Sequence, residues 1–363
     1  MNSCFRFFAL LRVALVLSTA LVVATPAAVG QTAADAPSID ADGSVHVPMA
    51  TMPLSNYLSD TTREQLAQLM SAPGLGSGEI GIAQIARYVE DTAQRYLDGW
   101  LKIYPCTIDD TMLDGVHVLV VTPKSGINPR NRHRVLIAAH QGGFVVGGPV
   151  SAEAEAVPLA GRGRIRVIAV DYRKAPEFGF PAATDDMEAV YRHELKSLRA
   201  SNIGMYGCSA GGALVAESMV RFAHKDLPRP GAIGIMCSGA MTNFWYGGDA
   251  SAESVLLTGH APPKAEPGPY FKGIEMNDPA VTPGLYPQAL AKFPPTLLVT
   301  GTRDIAMSNA LMTHAALLEA GVDARLFVQE GFGHGQFYMF PGTPESATTY
   351  DVIWKFFDSE LRR

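Results

Sequence analysis

No CxxC pair, no HExxH helix and no spaced cluster of histidines with acidic residues occurs in this 363-residue chain, so it has none of the common metal-site spacings. Cysteine itself is scarce: Cys4, Cys106, Cys208 and Cys237. Their wide spacing, and an odd number once Cys4 leaves with the leader described below, exclude a disulfide framework. A single Cys106–Cys237 bridge stays open, while the apolar strand contexts of Cys208 and Cys237 suit buried thiols. Excess basic charge is missing too, since 29 Lys and Arg against 35 Asp and Glu give a formal charge of −6. With no basic run and no aromatic-basic interleaving, nothing suggests a nucleic-acid partner. Beyond residue 30 no apolar run is long enough to cross a bilayer, so no stable membrane insertion is expected once a leader is removed.

What is present is ordinary globular composition, 47% hydrophobic and 18% charged, in a chain long enough for a large core. Arg6 and Arg12 precede apolar stretches at 13–17 and 21–24, and Ala27-Ala28-Val29-Gly30 supplies small residues before Gln31. This is the layout of a secretory signal over 1–30, cut near Gly30, and it predicts a secreted or periplasmic protein. An uncleaved anchor fits less well, the apolar run being short for a span. Residues 31–50 show no periodicity and read as a flexible lead. The spacing then predicts helices over 59–70 and 80–101, so 31–103 forms a lead plus a helical segment ahead of the main domain, 104–363. In that domain candidate strands at 115–121, 134–139, 166–171, 202–206, 232–238, 296–300 and 324–330 alternate with helical patterns at 182–198, 211–223, 306–320 and 346–361. Several strands are continuously apolar, which indicates a mostly parallel sheet covered on both faces.

The run 203–206 ends in Gly207-Cys208-Ser209-Ala210-Gly211 and opens a helical stretch. A serine on such a strand-to-helix turn is held in a strained conformation that exposes its hydroxyl, and only small neighbours allow the tight approach. That hydroxyl is a poor nucleophile and needs a base oriented by a carboxylate. Asp304 follows strand 296–300, and His334 follows strand 324–330 within Gly331-Phe332-Gly333-His334-Gly335. The order Ser209, Asp304, His334 therefore falls at three strand ends. Asp304 also has a plainer reading as the cap of helix 306–320; His314, mid-helix, and His260, in the insertion below, are poorer bases. After strand 134–139 comes His140-Gln141-Gly142-Gly143-Phe144. The N–H groups of Gly142 and Gly143, with that of Ala210, make a candidate oxyanion hole. Residues 241–290 break the alternation and carry Phe244, Trp245, Tyr246, Tyr270, Phe271 and Tyr286 among many Pro and Gly, as a substrate wall or as core filler. Gln141, Phe144, Trp245 and Tyr246 are the candidate pocket residues.

Together these motifs resemble the bacterial hormone-sensitive-lipase family of α/β-hydrolases, marked by His-Gly-Gly-Gly upstream of Gly-Asp-Ser-Ala-Gly-Gly. The likeness runs from about Gly115 to the C-terminus. It includes Asp171-Tyr172-Arg173-Lys174-Ala175-Pro176-Glu177, Phe180-Pro181-Ala182-Ala183, Phe293-Pro294-Pro295-Thr296 and Gly333-His334-Gly335. The resemblance implies an α/β-hydrolase fold, with a mostly parallel central sheet, helices on both faces and a helical N-terminal cap that residues 50–103 could supply. It implies a Ser-Asp-His carboxylesterase, without metal or cofactor, acting on small-molecule esters of short to medium acyl chain. The family often forms homodimers, although no exposed apolar stripe is legible in this chain. Two departures stand out: Gln141 replaces the first motif glycine and places an amide near the acyl pocket, and Cys208 replaces the usual Asp before the nucleophile. A narrower resemblance is to secreted esterases that remove methyl or ethyl groups from bulky aromatic carboxylates such as sulfonylurea herbicides. Amide or lactone hydrolysis by the same triad remains an alternative. So does non-catalytic ligand binding, as in the related plant gibberellin receptor, although that receptor type dispenses with the triad histidine and His334 is present here.

Overall fold

The structure, a computed structural model, describes residues 54–71, 81–242 and 268–362, with the strand pair at 38–39 and 45–46. The chain divides into two compact units, Met1–Pro53 and Leu54–Arg363. In the first, β1 (Ser38–Ile39) and β2 (Val45–His46) form a two-residue antiparallel ladder within a stretch read as flexible lead. The expected signal segment 1–30 lies outside the described residues, as do Trp245 and Tyr246.

In the second unit the strands are β3 (Cys106–Leu113), β4 (Val116–Pro123), β5 (Val135–Ala139), β6 (Arg166–Val170), β7 (Ile203–Cys208), β8 (Ala232–Met236), β9 (Thr296–Arg303) and β10 (Ala324–Gly333). They pair in the order β10-β9-β8-β7-β5-β6-β4-β3. From β6 across to β10 all neighbours are parallel, whereas β4 runs antiparallel to β6 and β3 to β4. Every residue of β5, β7 and β8 is buried, as continuous apolar runs demand. One core lies on each face of the sheet. Ile137, Met205 and Ile235 point to one and Leu136, Tyr206 and Met236 to the other, following the two-residue period of a strand.

The helices are α1 (Asp60–Ser71), α2 (Ile82–Ile103), α3 (Pro149–Gly163), α4 (Ala182–Leu195), α5 (Ala210–His224), α6 (Met307–Glu319) and α7 (Pro344–Glu360), besides single turns. Buried residues of α4, α5 and α6 belong to the first core, and those of α2, α3 and α7 to the second. Two elements were not anticipated. β3 pairs with β4 across Asp114-Gly115, both at positive φ, which is the two-residue turn that Asp-Gly favours. Helix α3 carries Pro158 in its interior and two glycines, Gly161 and Gly163, weak helix formers; it is set by burial, since residues 154–160 are all buried.

β5 lies between β6 and β7, so the chain leaves it toward opposite edges of the sheet. The crevice at the carboxyl ends of β5 and β7 is the switch point where open α/β sheets place ligands.

Candidate active site

The nucleophile turn follows from close packing at that switch point. β7 ends at Cys208, and α5 begins at Ala210. Ser209, between them, has φ 56 and ψ −122, a conformation that L-residues avoid. Its N–H donates to the Met236 carbonyl at 2.8 Å. A Cβ on Gly211 would lie 2.0 Å from the Ala139 carbonyl oxygen, so β5 approaches the turn too closely for any side chain.

The strands β9 and β10 run further than their sequence patterns indicated, to Arg303 and Gly333, which delivers Asp304 and His334 to the same rim. His334 Nδ1 is 2.7 Å from Asp304 Oδ1, and His334 Nε2 is 2.8 Å from Ser209 Oγ. A carboxylate only accepts, so Nδ1 carries the proton and Nε2 accepts the serine hydroxyl. Asp304 is 1% exposed. Burial alone would push its carboxyl up. The charge and hydrogen bond of His334, the Ala306 N–H and the Thr300 hydroxyl outweigh that and hold it below the ordinary carboxylate range. Asp304 thus faces the histidine and also accepts the Ala306 N–H, but the helix that follows has Ala306 itself as N-cap with no side-chain cap, so Asp304 is not its cap.

The loop after β5 carries the candidate oxyanion donors. Gly142 has φ 128, and a Cβ there would lie 2.0 Å from the Val146 carbonyl oxygen, so only glycine fits. Among the described residues no acceptor takes the N–H of Gly142 or Gly143, and Ala210 is the first residue of α5, where helical N–H groups have no intrahelical partner. The Asp171–Glu177 motif supports this loop from below. Tyr172 stacks on His140 at 4.3 Å and donates to its carbonyl at 2.8 Å. Burial first, then Lys174, pulls the His140 imidazole down to about 4, so it stays neutral.

Several expectations are corrected. Phe144 is 3% exposed and stacks on Tyr270 at 4.7 Å with Phe271 edge-on, so it is core beneath the loop and not pocket wall. Tyr270 and Phe271 of the irregular insertion are the filler in that stack. Gln141 gives its amide to the Tyr338 hydroxyl. Cys106 and Cys237 do not pair: Cys106, Cys208 and Cys237 are all free and buried. Cys237 Sγ accepts the Gly335 N–H at 3.2 Å, beside the triad histidine. Cys237 Sγ, an Asp304 oxygen and a His334 nitrogen lie within 4.8 Å of one another, close enough for a metal ion. Those groups are already engaged with each other, however. The hydrogen bond with Cys208 and then burial push the Cys237 thiol well up, against the thiolate that a metal needs. Cys208 is likewise raised: burial and the nearby Glu155 and Asp304 outweigh the hydrogen bond with Cys237, which by itself would lower it.

Two residues were missed. Glu155, on α3, accepts the Gln141 N–H at 3.0 Å, and burial pushes its carboxyl up to about 8. An acidic side chain amid the alanines of 152–160 was its only signal. Tyr338, four residues after His334, carried none.

A model of the alpha/beta hydrolase fold family matches residues 136–338. An acetyl-hydrolase of Streptomyces hygroscopicus is 26% identical over 236 residues, covering 62% of this chain and 76% of that protein. The crystal structure of an esterase E25 superimposes with a TM-score of 0.77 at 27% identity, covering 87% of this chain and 99% of that one. That of an esterase from the bacterial hormone-sensitive lipase family gives 0.70 at 21% identity, over 84% and 99%.

Proposed function

The chain belongs to the alpha/beta hydrolase fold family, and on that premise we propose that it is a serine carboxylic-ester hydrolase working through an acyl-enzyme. The carrying observation is the unbroken line Asp304–His334–Ser209, with contacts of 2.7 and 2.8 Å. His334 takes the hydroxyl proton as Ser209 Oγ attacks the ester carbonyl. The negative charge on the carbonyl oxygen is received by the N–H groups of Gly142, Gly143 and Ala210. Collapse of the tetrahedral adduct expels the alcohol, which leaves with the proton from His334. Water, deprotonated by the same imidazole, then attacks the acyl-serine, and the second adduct collapses to the free acid as His334 returns that proton to Ser209 Oγ.

Small acyl groups, acetate above all, are the substrates we favour, in keeping with the acetyl-hydrolase relative. Aromatic methyl and ethyl esters are the second class to assay. We read the protein as exported, because Arg6 and Arg12 precede an apolar run ending in small residues; a mature N-terminus near Gln31 would agree and an uncut Met1 would not. For the activity, Ser209→Ala should lose roughly 10⁶ in kcat on p-nitrophenyl acetate, and a phosphonate probe should label Ser209 in the native protein alone. A variant keeping half the native rate would overturn the assignment.

A further inference from the structure

Resting on the ester-hydrolase reading, we propose that Gln141 is a positioning residue that locks the oxyanion loop to the histidine segment, and that Glu155 and Tyr338 are its two anchors. Three of its polar groups are taken. Its N–H donates to Glu155 Oε1 at 3.0 Å, its carbonyl faces His140 Nδ1 at 2.5 Å, and its side-chain amide donates to the Tyr338 hydroxyl. Each partner is itself fixed. The Glu155 carbonyl accepts the Tyr206 hydroxyl from β7 at 3.3 Å, three residues before the nucleophile. The Tyr338 carbonyl accepts Trp100 Nε1 of α2 at 2.7 Å, and Tyr96 of α2 meets the Tyr338 ring edge-on at 5.8 Å. The residue immediately before the first oxyanion donor is therefore tied to the nucleophile strand, to the segment following His334 and to α2.

A glycine at this position could make the two backbone contacts but not the third. The side chain that departs from the family motif thus adds a link between two loops that must hold their geometry together. Donors aimed at a developing oxyanion work because they need not reorganise, and small misplacements cost rate more than binding. While its amide is bound to Tyr338, Gln141 is directed away from a role as substrate contact. Its loss should lower kcat and spare KM.

The test uses the full chain with p-nitrophenyl acetate, thermal unfolding run in parallel, and the variants Gln141→Ala, Tyr338→Phe, their double, Glu155→Leu and Glu155→Gln. Each of the first two should lower kcat roughly tenfold with KM within about twofold. The double should lose no more than the worse single, because both remove one contact. Glu155→Gln, which still offers an oxygen to the Gln141 N–H, should recover rate that Glu155→Leu loses. Tyr338→Phe deletes only a hydroxyl and decides the matter should Gln141→Ala fail to fold. A kcat for Tyr338→Phe within twofold of native, a change confined to KM, or losses that multiply in the double would overturn the proposal. Native protein that neither hydrolyses esters nor takes a phosphonate on Ser209 would instead overturn the ester-hydrolase reading; labelling that proceeds equally in native and Tyr338→Phe protein defeats the clamp alone.

Discussion

Asp304→Asn separates two things that a catalytic carboxylate does, fixing a tautomer and supplying a charge. Asp304 Oδ1 accepts from both His334 Nδ1 at 2.7 Å and the Ala306 N–H at 2.8 Å, while Oδ2 accepts from the Thr300 hydroxyl at 2.8 Å. An asparagine here has one good orientation. Its oxygen takes the place facing two N–H donors, and its NH₂ faces Thr300, whose hydroxyl can rotate to accept. The His334 tautomer survives, and only the charge is lost. Two unit charges about 4 Å apart at an effective dielectric of about 20 attract by about 4 kcal/mol, which sets an upper bound near 10³ on the rate. We expect kcat on p-nitrophenyl acetate to fall by about 10² to 10³ with KM little changed. That is less than the roughly 10⁴ lost in a protease triad whose asparagine imposes the wrong tautomer. Adding Thr300→Val removes the acceptor for the NH₂ and should take the loss toward that larger figure. A loss under tenfold for the single variant would refute the charge argument. A loss of 10⁴ or more would show that the amide had turned its NH₂ to the histidine.

Other perturbations reach stability. Gly211→Ala puts a methyl 2.0 Å from the Ala139 carbonyl oxygen and 2.7 Å from that of His140; urea unfolding should show a loss of about 3 kcal/mol, and an unchanged midpoint would count against the tight turn. Glu155 has a folded value of about 8 against an ordinary 4.5. The folded state therefore keeps a proton that the unfolded chain has released, so this group's contribution is full below about pH 4.5 and is lost as pH rises to 8, at about 1.4 kcal/mol per pH unit. The unfolding free energy of Glu155→Gln relative to native should accordingly climb between pH 5 and 8, and a pH-independent difference would contradict it. Glu217 is 1% exposed, neither of its oxygens has a described hydrogen-bond partner, and burial holds its carboxyl well above the usual range. Glu217→Met should stabilise by roughly 1–3 kcal/mol at neutral pH, measured by the same unfolding; a destabilised variant would mean that the carboxyl has a task.

Sequence alone carried the layered α/β architecture, because the strands that build a doubly covered parallel sheet are near-continuous apolar runs: 135–139 is apolar throughout, and 296–300 is at its three central residues between two buried threonines. It also placed Ser209, Asp304 and His334 at strand ends, and the structure brings the three together, since a strand-to-helix turn this tight needs glycines at fixed offsets and strand ends in a switch-point sheet share one rim. The β3–β4 hairpin was legible in Asp114-Gly115 and overlooked; helix α3 was not legible, because its prolines and glycines argue for a break and only burial between α2 and the sheet makes it helical. Phe144 and Gln141 show why side-chain roles escaped. Nothing in a linear chain says whether a residue beside a catalytic loop points into the crevice or away from it. That depends on Tyr270, Glu155 and Tyr338, which lie 14 to 197 positions distant along the chain and become neighbours only when it folds. Local spacing picked out the three groups that meet at one rim; long-range packing decided which groups hold them still.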